Sequence, residues 1–130
     1  MESHRRGGVV LRVGSDFYFI PAATAVHVGP VPLVTSIPGA PPELVGVAMH
    51  EGTIVPVVSL GSGGGEMVVC QHAGELLGVI GGHVVHAGLF DVTPERADQV
   101  LHEGRPVRPL DLASIYARVQ SSQRSARWGS

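Results

Sequence analysis

The 130-residue chain contains no lysine, and its net charge is −2. Without a basic stripe to neutralise phosphates, nucleic acid is a poor candidate partner. A P-loop, which ends in Gly-Lys-Ser/Thr, is excluded outright. The single Cys70 cannot close an internal disulfide, and its place in an alternating strand fits a small core side chain better than a catalytic thiolate. Charged residues make up only 15% of the chain, against about a quarter in an average domain, so much of the surface must be neutral. That favours protein contacts. Phe17–Pro42 has no charged residue and is long enough to span a bilayer, but Pro21, Pro30, Pro32, Pro38, Pro41 and Pro42 break any helix there. Met1–Arg6 is charged with no apolar region or cleavage site behind it, so a cytoplasmic location without membrane insertion is expected.

What the chain has in quantity is glycine (18) and proline (10), placed between apolar runs, which reads as many turns joining short strands. The expected strands are Val9–Val13, Asp16–Ile20, Ala25–Val28, Leu44–Met49, Thr53–Leu60, Glu66–His72, Glu75–Ile80 and His83–Leu89. Their even spacing suggests a barrel or sandwich. Gly14-Ser15 and Ala73-Gly74 have the two-residue length and the glycine of tight hairpins. Helical pattern is confined to Asp111–Val119, with Asp111 as cap, and to a short Pro94–Leu101 segment behind Thr93. At this length one domain is expected, over residues 1–119, with a disordered Ser- and Arg-rich tail at 120–130. Gly61–Gly65 (GSGGG) reads as a flexible boundary between two β-rich halves.

No constellation points to catalysis or to a cofactor. The glycines of Gly61–Gly65 precede a strand, whereas a dinucleotide fingerprint needs a helix there. No nucleophile motif surrounds Ser59, and no two carboxylates are paired. Among seven histidines the tightest pair is His83 and His86, with His72 and His102 as possible completing ligands. Residues three apart on a strand face opposite ways, so a metal there needs a bulge. A small metal- or ligand-binding β-barrel using His83, His86 and His72 is the alternative of another class.

The segment Val9–Leu60 resembles the first half of CheW domains, the chemotaxis coupling adaptors. Its aromatic-aliphatic-Pro ending leads to a Pro-rich stretch, Ile37-Pro38-Gly39-Ala40-Pro41. The signature "Gv.n.RG.ivPVidL" is matched by Gly46–Leu60, GVAMHEGTIVPVVSL. Glu66–Val85 and Arg105–Tyr116 match the second half more loosely. The resemblance implies an all-β fold with few short helices: two small SH3-like five-stranded β-barrels packed side by side. The short stretch Asp91–Gly104 implies that the second is trimmed. It also implies a non-enzymatic adaptor between the cytoplasmic tip of a chemoreceptor and the regulatory domain of a histidine kinase. An adaptor of a motility or type IV pilus pathway is the nearest alternative.

The family arginine before the signature glycine is Glu51 here, and typical acidic positions are occupied by Val28, Ser59, Gly82 and His86. An accessory adaptor with part of the usual contacts is therefore expected. Candidate contact residues are Val34, Ile37, Leu44, Met49, His50, Glu51 and Val85, the competing reading of the apolar ones being core packing. Gly46, Gly52 and Pro56 are read as structural, the glycines for positive φ and Pro56 as the mark of an edge strand or bulge.

Overall fold

The structure is a computed structural model that describes the backbone of residues 4–128 and side chains through Gln120. Ten strands are followed by one helix: β1 Arg5–Val13, β2 Asp16–Pro21, β3 Ala25–Pro30, β4 Leu44–His50, β5 Thr53–Ser59, β6 Glu66–His72, β7 Glu75–Ile80, β8 His83–Asp91, β9 Val100–His102, β10 Arg105–Pro109 and α1 Leu112–Trp128. They form two five-stranded curled sheets, ordered β8-β1-β2-β10-β9 and β3-β6-β7-β5-β4. The all-β, two-barrel expectation holds.

The division between barrels is not where Gly61–Gly65 suggested. That segment joins β5 to β6 inside one sheet, so the central barrel is continuous, β3–β7, and the other is closed from both ends of the chain. Nor is the segment loose. A Cβ on Gly64 would stand 2.3 Å from the Gly82 carbonyl oxygen, and one on Gly81 would stand 2.4 Å from that of Gly61. These glycines let two backbones cross in contact where the chain leaves the central barrel. The Glu66 carboxylate accepts the Val84 N–H at 3.4 Å and ties the crossing to β8.

Strand alternation divides the apolar runs between cores. Along β1, Val9 and Leu11 face a core shared by the barrels and α1, while Val10 faces the chain-end barrel's interior with Phe19, Phe90, Val100 and Val107. Along β6, Val68 and Cys70 face the shared core, while Met67 and Val69 join Ala48 and Val57 inside the central barrel. Runs such as VVL and MVVC are thus buried on both faces. Leu112, Ile115, Tyr116 and Val119 of α1 close the shared core. Each fully buried side chain of this kind contributes about 1.5–3 kcal/mol.

Asp111 caps α1, accepting the Ser114 N–H at 3.2 Å and the Ser114 hydroxyl at 2.8 Å. The helix then continues through 120–128, a stretch the sequence placed in a disordered tail; residues 129 and 130 lie outside the described residues. The helix expected over Pro94–Leu101 is instead a turn and a strand. Thr93 Oγ1 accepts the Arg96 N–H at 3.1 Å, but Val100 already pairs with Val92 and Val107, so the turn cannot propagate. The short Asp91–Gly104 stretch lies in the chain-end barrel and leaves β9 only three residues long.

Candidate partner-docking groove

Three kinds of local chemistry shape the β4–β5 hairpin. Its turn is Glu51-Gly52, with φ of 48° and 79°, the two positive values of a tight hairpin that follows strand twist. Gly46 has a φ of 159° and is required above all by contact: a Cβ there would stand 2.0 Å from the Thr35 carbonyl oxygen. Thr35 pairs with Val47, exchanging hydrogen bonds of 2.8 and 2.9 Å, and so fastens the Pro-rich segment to β4. Because Val47 turns its polar groups toward Thr35, its pairing with Pro56 across the hairpin needs no N–H from the proline. On Pro56's other side β7 begins pairing only at Val57. Pro56 therefore sits in an interior strand, at a position where no hydrogen bond is missed.

The fastened segment and the hairpin enclose an open groove of about 350 Å³, lined by Pro32, Leu33, Thr35, Val47, Ala48, Met49 and Ile54. Met49 and Ile54 are cross-strand partners. Leu33 is 88% exposed, Ile54 66% and Met49 58%. His50, half-buried, lies tilted against His27 with ring centroids 5.0 Å apart, and lies 3.8 Å from the Glu51 carboxylate at the hairpin tip.

Of the residues expected to contact a partner, Met49, His50 and Glu51 lie together here. Leu44 is 5% exposed and belongs to the shared core. Ile37 packs against that core, Val34 against the central barrel's interior, and Val85 against the chain-end barrel. Sequence reading missed Leu33 and Ile54: Leu33 lies in no strand, and Ile54 follows the equally exposed Thr53, so alternation singles out neither. The histidines of the metal alternative have different neighbours: His72 lies tilted against Tyr116 with ring centroids 5.0 Å apart, and His86 meets Phe90 and His102. Among the described residues no three His, Cys, Asp or Glu side chains converge as metal ligands.

A second signal was legible but unread. Met49–Leu60 (MHEGTIVPVVSL) and Leu101–Leu112 (LHEGRPVRPLDL) share the His-Glu-Gly triplet, and Glu103-Gly104 repeats the turn with φ of 52° and 77°. The sheets match accordingly. In each, two antiparallel pairings lead to one parallel pairing, β2 with β10 or β7 with β5, and then to a hairpin closed by His-Glu-Gly. One barrel is thus a circularly permuted copy of the other's pairing scheme.

The sequence model of the CheW-like domain family matches residues 7–86, which take in the hairpin, the groove and the glycine crossing. The chain belongs to the CheW-like domain family. That membership supports a scaffold or adaptor role in chemotaxis signalling. Among solved structures, the scaffolding protein TtCheW from Thermoanaerobacter tengcongensis is similar over 75% of this chain and 68% of that one, with a TM-score of 0.62 and 18% identity. That likeness is one of fold. No curated protein matches the chain. Among the described residues no helix is long and apolar enough to cross a membrane.

Proposed function

We propose that this CheW-like domain is a cytoplasmic, non-enzymatic adaptor that couples a chemoreceptor tip to the regulatory domain of a histidine kinase, using part of the usual set of contacts. The observation that carries the reading is the groove. Leu33, Met49 and Ile54 stand in water beside one another although folding gives them no reason to. A grouped apolar surface of this kind marks an interaction site. Burying it against a partner contributes about 25 cal/mol per Å² of apolar area, before ordering costs. The groove is open and lacks convergent polar groups, which suits a protein surface better than a small ligand.

Co-purification tests the reading. Purified receptor tip and purified kinase regulatory domain from the same organism are each passed over the immobilised chain. Retention of at least one is expected, and retention of neither contradicts the adaptor role.

A further inference from the structure

Every arginine of the chain lies outside residues 13–95: the nine are Arg5, Arg6, Arg12, Arg96, Arg105, Arg108, Arg118, Arg124 and Arg127. The central barrel, β3–β7 with its loops, carries Glu43, Glu51, Glu66 and Glu75 and no cation other than its histidines. Glu66 is occupied with the Val84 N–H, Glu43 is half-buried, and Glu75 stands at the β6–β7 hairpin. Glu51 is different. Its side chain is 83% exposed at the tip of the hairpin that supplies Met49 and Ile54 to the groove. The equivalent Glu103 stands beside Arg105 and near Arg108, which line a separate cavity with it. The two turns therefore have the same backbone and opposite electrostatic settings.

We propose that the groove docks a protein surface whose apolar side chains are accompanied by arginine or lysine, and that Glu51 selects for that charge. The proposal rests on the adaptor reading and adds the partner's chemistry. A partner with acidic residues at this position would meet an exposed carboxylate whose ion partner is His50 at 3.8 Å, on a barrel without arginine, and like-charge juxtaposition rejects wrong partners. Anionic membranes and nucleic acids are disfavoured for the same reason. An exposed rim charge acts mainly on encounter, so its signature lies in the association rate and its salt dependence more than in residence time.

The probes are the purified receptor tip and kinase regulatory domain, each measured by biolayer interferometry against wild type, Glu51→Gln, Glu51→Arg and Glu103→Arg. For the partner that binds, Glu51→Arg is expected to slow association about tenfold at low salt and Glu51→Gln about two- to threefold, with both differences shrinking as salt shortens the screening length. Glu103→Arg adds the same charge on the equivalent turn and is expected to leave the rate within about twofold. Unchanged or faster association of Glu51→Arg would overturn the proposal. An equal effect of Glu103→Arg would also overturn it, by showing a whole-molecule charge effect. If wild type binds neither probe, the adaptor reading itself fails and takes the proposal with it, an outcome distinct from binding that ignores Glu51.

Discussion

In the chain-end barrel Phe19 meets Phe90 edge-on at 5.7 Å, while Arg6 lies over Phe19 and Arg108 over Tyr18, each at 5.3 Å. The central barrel follows the same pairing scheme but contains no Phe, Tyr, Trp or Arg. Its interior is filled by small aliphatic side chains and Met67, and its surplus apolar surface faces outward around Leu33, Met49 and Ile54. The difference teaches how one topology is filled by two kinds of core. Aromatic rings and cations pack the chain-end barrel, which exposes Leu89 alone among its described large apolar side chains, whereas the aliphatic barrel groups Leu33, Met49 and Ile54 at one groove, the proposed docking surface.

The comparison breaks first at the cores. Phe19→Ala empties the chain-end barrel and is expected to cost about 3–5 kcal/mol, while Leu77→Ala in the shared core costs about 2–5 kcal/mol. Because the shared core includes residues of both barrels and α1, each variant should lower a single urea transition. Two separate transitions would show that the barrels are independent units. Gly46→Ala comes next. It drives a methyl into the Thr35 carbonyl, with an expected cost of about 1–3 kcal/mol. The Pro-rich wall of the groove should shift, so partner affinity falls with stability. Equal affinity would mean that this wall does not contribute to docking.

Tyr116→Phe removes a hydroxyl that donates to the Cys70 carbonyl at 2.9 Å and lies 2.8 Å from the Glu75 carbonyl, so α1 loses its polar hold on the central barrel. A loss of about 1–2 kcal/mol is expected by denaturant titration. The same region sets the alkaline limit. Burial pushes the Cys70 thiol from 9.0 up to about 12, and burial also raises the Tyr116 hydroxyl. Protons held longer in the folded state stabilise it fully below pH 9, and that contribution is lost as pH rises toward 12. Cys70→Ala should therefore flatten the fall of stability across that window, and an unchanged slope would remove Cys70 from the account.

The strands were legible because alternation and turn residues agree along the chain: β6 and β7 have the expected bounds, and Gly14 and Ala73-Gly74 turn where the pattern breaks. Topology was not. Gly61–Gly65 has the composition of a linker, yet the contact that holds it comes from Gly81-Gly82, about twenty residues away in sequence. Strand β9 was invisible because three residues carry no period, although the repeated His-Glu-Gly marks its end. Of the proposed docking site, the hairpin tip was legible from its charge. Leu33 was not, because only the Thr35–Val47 pairing brings the Pro-rich segment beside Met49. Leu44 failed because the competing reading of apolar candidates, core packing, is the one the structure gives it.

The smallest expected change in stability accompanies the most direct test of the central claim, that the aliphatic barrel's groove is the docking surface. Met49 and Ile54 are exposed, so Met49→Ala with Ile54→Ala should alter unfolding by no more than about 0.5 kcal/mol per site. If they anchor a partner, the same double variant weakens binding of the receptor tip or kinase domain by at least about tenfold, the effect of losing 1.4 kcal/mol. That loss is expected with an unchanged melting profile. Wild-type affinity in the double variant would contradict it.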